Sequence, residues 1–408
     1  MNIALLGCGT VGSGAYEIIQ ENKKMIKDKY KIDIKVKKIL VRSIKKYNNL
    51  EHSNLFTTNI DEILEDKNID VVISVMGGLK PSYEYVKKSL NQSKHVITAN
   101  KDLIANNLVE FSNIANKNDV TINYEASVGG GILIIEPLLK RLAGHKINNI
   151  YGIINGTTNF ILSQMYENNE NYNTVLKNAQ DLGFAESDPT SDVEGLDAAR
   201  KLAILSMINF NKKINWENIK CSGITSIDKT DISYAKNLNK KIKLFAISEL
   251  TKDGIYLGVR PIFIKKKNQL AKIDNEYNGI HLKSDLTKDL LYYGKGAGKF
   301  PTGSAIFSDL LSILNGKKQS SLKLDNAKIL DSYPYKTDWF IRFKTKDVSK
   351  TTHKIFDEFN NYKFNLETNQ FNKEITIKIY DIKETVIKNI LEKFNKEKWK
   401  YFLIIKGE

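Results

Sequence analysis

Residues 2–14, NIALLGCGTVGSG, decide how the chain begins to fold. The apolar run Ile3, Ala4, Leu5, Leu6 reads as a short buried strand, and it runs straight into Gly7-Cys8-Gly9-Thr10-Val11-Gly12 and then into a helical pattern. In that setting the three glycines of a GxGxxG pattern have separate jobs. The first allows a tight turn, the second lets backbone approach a pyrophosphate, and the third permits close packing of helix on strand. The first N–H groups of the helix then face the phosphates. The pattern alone is a weak signal, but at residue 7 the strand before it and the helix after it are both present. Gly7, Gly9, Thr10, Val11 and Gly12 are therefore candidate cofactor-binding residues, against the alternative that the glycines only serve a turn.

Working outward, residues 34–41, 70–75, 95–98 and 121–124 read as further strands, and residues 13–30, 60–66, 82–92 and 103–116 as helices. Strands and helices alternating in this way predict an α/β fold, a Rossmann doubly wound parallel sheet over residues 1–128. The character changes at Gly129-Gly130-Gly131, where a second, α+β domain is expected over residues 129–300. The segment 304–314, within 301–325, is expected to return and pack on the first domain. Beyond Tyr333-Pro334-Tyr335, strands at 339–344, 363–368, 374–380 and 399–405 with helices at 351–361 and 383–396 give the β-α-β-β-α-β order of a ferredoxin-like domain over 333–408. That order resembles the ACT-type regulatory domain, a family that binds amino acids at domain interfaces. The Pro-Gly turn usual after its first strand is replaced here by Lys346-Asp347-Val348-Ser349, and a packing module fits as well as a sensor.

Composition excludes several classes. The chain has 408 residues, 41% hydrophobic and 27% charged, enough for two or three ordinary cores. No apolar run approaches membrane-spanning length, and the N-terminus enters a strand without a basic leader, so a cytoplasmic protein with no membrane partner is expected. Cys8 and Cys221 offer neither a disulfide framework nor a metal-ligand spacing, and the five histidines show no ligand spacing. A formal charge of +15 would permit nucleic-acid binding, but the lysines are scattered and interleaved with asparagine and isoleucine, so no nucleic-acid partner is expected.

The choice of nicotinamide cofactor depends on the end of the second strand, where NAD sites present an acid and NADP sites a basic group. Asp33 lies at the customary count after the glycines but only begins that strand, whereas Arg42 and Lys45 follow its end. NADP(H) is preferred, with NAD(H) also possible, against the alternative that these are surface charges.

Asp197 and Lys201 are four apart and share a helix face; by spacing alone a small stabilising ion pair is the favoured reading. Larger stretches change that preference. Val96-Ile97-Thr98-Ala99-Asn100-Lys101, Tyr124-Glu125-Ala126-Ser127-Val128-Gly129, Gly152-Ile153-Ile154-Asn155-Gly156-Thr157-Thr158-Asn159 and Gly183-Phe184-Ala185-Glu186, followed by Asp188-Pro189-Thr190, Asp192, Gly195 and Asp197-Ala198-Ala199-Arg200-Lys201, resemble homoserine dehydrogenase. Residues 294–301, GKGAGKFP, look like that family's late glycine loop.

The resemblance implies NADPH-dependent reduction of L-aspartate 4-semialdehyde to L-homoserine, in threonine, methionine and isoleucine biosynthesis. Residues 129–300 become a catalytic and dimerisation domain, and the enzyme a homodimer or homotetramer. By carry-over Lys201 is the proton donor, Asp197 holds the substrate hydroxyl or a water, and Glu186 binds the substrate's amino group. Lys101 lies between cofactor and substrate, while Gly156 and Thr157 join the substrate residues. Asp192 either assists them or caps a helix. Gly77, Gly183 and Gly298 let backbone approach the cofactor. A monovalent cation, sodium, is implied at the Glu125 carboxylate and the carbonyls of Val128, Gly130 and Ile132. Leu133, where the family usually has proline, and Lys295 and Lys299-Phe300 in the late loop depart from the pattern.

Overall fold

The computed structural model describes residues 1–49, 51–316 and 323–404. Residues 317–322 of the expected return segment and residues 405–408, with Ile405 at the expected end of the last strand, lie outside the described residues. The chain divides into two compact units, Met1–Ile147 with Asp197–Ile219 and Glu276–Ala327, and Asn148–Leu196 with Lys220–Asn275 and Lys328–Glu408.

The first unit begins β1 (Asn2–Leu6), α1 (Thr10–Tyr30), β2 (Lys35–Leu40), β3 (Phe56–Thr57), α2 (Asp61–Leu64), β4 (Val71–Ser74), α3 (Ser82–Asn91), β5 (His95–Thr98), α4 (Lys101–Lys117) and β6 (Ile122–Asn123). The sheet runs β3-β2-β1-β4-β5-β6 with every pair parallel, so the order in which strands are added reverses beside β1 and leaves a crevice at the carboxyl ends of the strands. The strands and helices read from the sequence over residues 2–124 are all present; β3 is not legible there because two residues are too few to carry a period.

Alternation explains why β1 sits centrally. Ile3 and Leu5 join one core with Ala15 and Ile19 of α1, and Ala4 and Leu6 join another with Ile63, Ile69 and Val72. With both faces covered, the strand has to be apolar throughout. The helix Lys299–Leu314 packs on α1, adding Ala305, Ile306, Leu310 and Ile313 to the first of these cores. The two helices meet through small residues: a Cβ on Gly14 would lie 2.4 Å from the Lys299 carbonyl oxygen, and one on Gly303 would lie 3.1 Å from the main chain of Gly14 and Ala15. Lys299 also pairs with Glu17 of α1 at 2.7 Å, which gives this departure from the family pattern a local structural role.

The second unit is a mixed sheet in the order Ile147–Ile153, Lys240–Thr251, Gly254–Lys265, Lys398–Ile404, Thr337–Lys344, Glu374–Ile382 and Phe364–Asn369. Its two long central strands are buried along nearly their whole length, which removes the alternation that would mark them in the sequence. The last four strands, with helices Val348–Phe359 and Glu384–Glu392, follow the expected β-α-β-β-α-β order. They join the long strands by a parallel pairing, Ile262 with Leu403 and Phe263 with Ile404. Two buried arginines reinforce the junction. Arg260 pairs with Glu384 at 2.7 Å and lies 5.1 Å from the rings of both Trp339 and Tyr401. Arg342 pairs with Asp228 at 2.5 Å and Asp231 at 2.8 Å, the two acids that form the capping box of helix Lys229–Asn237.

Gly14→Ala tests the helix contact, because alanine normally stabilises a helix interior by about 0.5–1 kcal/mol relative to glycine, whereas overpacking costs about 1–3 kcal/mol. A lower melting temperature is expected for the variant in a thermal melt. A higher one would mean that the two helices separate freely.

Candidate active site

The glycine turn carries out three distinct tasks. Gly7 has φ of +105°, which side-chain-bearing residues rarely adopt, and its N–H bonds the Leu40 carbonyl at 3.0 Å. A Cβ on Gly9 would meet nothing within 4 Å, so backbone is open to a ligand there, whereas one on Gly12 would lie 2.3 Å from the Gly7 carbonyl oxygen. No side chain caps α1 at Gly9, so the N–H groups of its first turn, at Thr10, Val11 and Gly12, keep their capacity for an anion. These features fit the pyrophosphate of a dinucleotide.

Past β2, Arg42 and Lys45 are exposed. The short turn Ile44–Tyr47 that carries Lys45 is tied to the glycine segment, because the Tyr47 hydroxyl donates to the Cys8 carbonyl at 3.2 Å and its ring stacks on Phe56 at 4.2 Å. Asp33 lies just before the amino-terminal end of β2, where its carbonyl accepts from the Met1 ammonium at 2.6 Å, at the opposite end of the strands from the turn. Gly77 follows β4 in an exposed loop, and a Cβ there would meet nothing within 4 Å. This loop is held by Asn100, whose amide donates to the Met76 and Gly78 carbonyls at 2.9 and 2.7 Å while its oxygen caps α4 by accepting from Leu103 N–H. Asparagine directly before a helix is a legible cap signal, although sequence reading assigned Asn100 no role at the site.

The cap sets Lys101 at the first position of α4, and the helix Leu196–Phe210 brings in Asp197 and Lys201 on one face. The Asp197 carboxylate is shared: Oδ1 lies 3.0 Å from Lys101 Nζ and Oδ2 lies 2.8 Å from Lys201 Nζ. Side-chain exposure is 5% for Asp197, 12% for Lys201 and 35% for Lys101, so the triad is sheltered but reachable at the Lys101 end. Two ammoniums against one carboxylate leave the triad net positive, which suits a developing oxyanion. Arg200 leaves the helix on another side and pairs with Asp102 at 3.0 Å.

In the second unit, Asn155 caps the helix that begins at Gly156, accepting from Thr158 N–H at 2.8 Å and donating to Asp192 Oδ1 at 2.7 Å. Thr157 Oγ1 lies 2.7 Å from the Phe184 carbonyl and 3.1 Å from Asp192 Oδ2. Asp192 thus braces the start of the Gly156 helix. Gly183, with φ of +76°, is the left-handed residue after helix Tyr172–Asp181, and Glu186 three residues later is exposed.

Glu125 is almost wholly buried in the first unit. Oε1 accepts from Ile134 N–H at 2.6 Å and Ile135 N–H at 2.7 Å, and Oε2 accepts from Glu136 N–H at 2.7 Å. The carboxylate therefore organises the chain after the glycine cluster. A donor set of this carboxylate with the carbonyls of Val128, Gly130 and Ile132 is all oxygen, the kind that suits a hard cation. Among the described residues no cluster of three or more His, Cys, Asp or Glu side chains could hold a metal. Gly130, with φ of +55°, sits so close to the late glycine loop that a Cβ would lie 2.4 Å from the Gly296 carbonyl, and Gly298, with φ of +121°, caps the helix that follows. Leu133 is exposed, and Lys295 lies 3.7 Å from Glu276. Asp309, a residue with no sequence signal, accepts from the Glu125 N–H at 2.9 Å. Burial, then the neighbouring Glu125 charge, raises its pKa well above the usual carboxylate range, and burial also raises that of Glu125.

The chain matches two family models, one described as homoserine dehydrogenase, NAD binding domain, over residues 7–125 and one as homoserine dehydrogenase over residues 134–311. It is 39% identical over 319 residues to homoserine dehydrogenase of Bacillus subtilis, covering 78% of this chain and 74% of that protein. The crystal structure of a homoserine dehydrogenase from Thiobacillus denitrificans is similar with a TM-score of 0.90 and 32% identity, over 99% of this chain and 98% of that one. A hyperthermophilic archaeal homoserine dehydrogenase mutant in complex with NADPH is similar with a TM-score of 0.68 and 25% identity, over 78% of this chain and 98% of that one. Among the described residues no helix is long and apolar enough to cross a membrane.

An acid whose pKa is higher folded than unfolded keeps its proton longer in the folded state, so its contribution to stability falls as pH rises above the unfolded value. Asp309→Asn, which keeps an acceptor for Glu125 N–H, is therefore expected to gain melting temperature relative to wild type as pH rises from 5 to 8. A constant difference across those pH values would show that Asp309 ionises normally.

Proposed function

The chain belongs to the homoserine dehydrogenase family, and from that premise we propose that it is a cytoplasmic enzyme that uses NADPH to reduce L-aspartate 4-semialdehyde to L-homoserine, on the route to threonine, methionine and isoleucine. The observation that carries this reading is the Asp197 carboxylate shared by Lys101 and Lys201. The backbone at Gly7 to Gly12, Gly77, Gly183 and Gly298 would hold the cofactor, and Arg42 and Lys45 would meet its 2′-phosphate. Bound there, the cofactor supplies the hydride.

The residues of the chain do the rest. Lys201 Nζ stabilises the oxyanion that forms on the carbonyl oxygen as hydride reaches the carbonyl carbon and transfers a proton to that oxygen, then recovers one from solvent. Asp197 fixes the direction of that ammonium and holds a water, or the hydroxyl once homoserine has formed, in register. Lys101, the more exposed of the two lysines, adds positive potential between cofactor and substrate. The exposed Glu186 carboxylate takes the substrate's α-ammonium, with Asp192, Gly156 and Thr157 shaping its surroundings. Glu125, with the carbonyls of Val128, Gly130 and Ile132, would hold a sodium ion by oxygen ligands alone.

Residues 129–300 act as catalytic and dimerisation domain of a homodimer or homotetramer, and 333–408 as an ACT-type domain with weak or no threonine feedback. What supports the last point is Asp347: it caps helix Val348–Phe359 by accepting from Lys350 N–H at 2.9 Å, and so occupies a donor that a ligand carboxylate would need. Calorimetric titration of the full chain with threonine is expected to show no tight binding; saturation at micromolar threonine would overturn the proposal.

NADPH oxidation with aspartate semialdehyde tests the chemistry. Lys201→Ala is expected to lose kcat by about 10²–10⁴-fold, the usual scale of a general acid, with NADPH binding retained. Arg42→Ala is expected to raise KM for NADPH by about tenfold, the loss of one charge-assisted phosphate contact, and to leave KM for NADH unchanged. Equal effects on both cofactors would remove Arg42 from the 2′-phosphate.

A further inference from the structure

The triad poses a positioning problem. Lys101 sits at the N-terminus of α4, where the helix dipole disfavours a cation, and the second ammonium of Lys201 repels it. Asp197 holds both only while α4 and the helix Leu196–Phe210 keep one separation. A second set of side chains lies directly beside the triad and joins the same two helices. Asp102 follows Lys101, Arg200 precedes Lys201, and the two pair at 3.0 Å through Arg200 Nε with side-chain exposures of 32% and 17%. The Arg200 guanidinium lies 4.2 Å over the Trp216 ring, the stacked geometry that favours arginine. The Trp216 indole N–H donates to Asn106 Oδ1 at 3.1 Å, and the Asn106 amide donates to the Asp102 carbonyl at 2.7 Å. The circuit leaves α4 at Asp102, passes through Arg200 and Trp216, and returns to α4 one turn further on.

We propose that Arg200 and Asp102, closed by Trp216 and Asn106, are positioning residues that hold Lys101 and Lys201 on the two oxygens of Asp197 for proton delivery. This rests on the reading of the two lysines given above. The clamp acts through the alignment of the ammoniums, where a displacement of about 1 Å can cost about 100-fold in rate. Loosening it therefore lowers kcat and spares cofactor binding.

The test is a double-mutant cycle on the full chain with Arg200→Ala, Asp102→Asn and both together, reading kcat, KM for semialdehyde and NADPH affinity by fluorescence. Each single variant is expected to lose about 10- to 100-fold in kcat, with NADPH affinity within about twofold of wild type, and the double variant is expected to lose no more than the worse single. Losses that multiply in the double variant overturn the clamp, as does wild-type kcat in either folded single variant. Should Arg200→Ala fail to fold, the near-isosteric Asp102→Asn decides alone by the same criterion. Lys201→Met in the same assay separates the layers: its inactivity beside a fully active Asp102→Asn sinks the clamp only, while an active Lys201→Met sinks the catalytic assignment and the clamp with it.

Discussion

One carboxylate shared by two ammoniums is the constraint on which the chemistry of this protein depends. Asp197 is nearly sheltered from water, and removing it would take the same carboxylate from two ammoniums at once, a larger disturbance than loss of a surface ion pair. Its position in the first turn of its own helix is favourable for a negative charge, whereas Lys101 at the start of α4 is not. The helix ends therefore favour the carboxylate and penalise the lysine, which is a common pattern where a fold carries function at some cost in stability.

The same logic of buried groups satisfied by many partners recurs away from the triad. Glu125 gives its carboxylate to three main-chain N–H groups, and Asp309 takes a fourth from Glu125 itself, so the chain after the glycine cluster is held by acids that the sequence does not announce as structural. Arg260 and Arg342 do the corresponding work in the second unit, where the C-terminal strands continue the sheet of the long central pair. A tail built into a sheet and pinned by buried ion pairs is part of the second unit's core. Any ligand acting on it must work against that packing.

The Rossmann half was legible because its signals are local. Period, apolar runs and the glycine spacing at Gly7 to Gly12 gave strand, turn and helix in register with the structure, and the alternation of elements gave the parallel sheet. The strands Lys240–Thr251 and Gly254–Lys265 were not legible, since burial on both faces erases the two-residue period. Asn100 carried a cap signal that pointed to a helix start but said nothing of its grip on the loop after β4.

The sequence by itself determined the dinucleotide turn, the alternating strands and helices of the parallel sheet and the pairing of Asp197 with Lys201, because each is written in local patterns. It could not decide whether that pair was a surface ornament or a site, and spacing alone favoured the former. Only the tertiary structure brought Lys101 to the other oxygen of Asp197, set Arg200 on Asp102 and Trp216, and put Asp309 under Glu125. The reason is physical: helical period encodes which residues share a face, whereas the meeting of charges on different elements is fixed by how closely those elements pack, and that closeness is a property of the whole core.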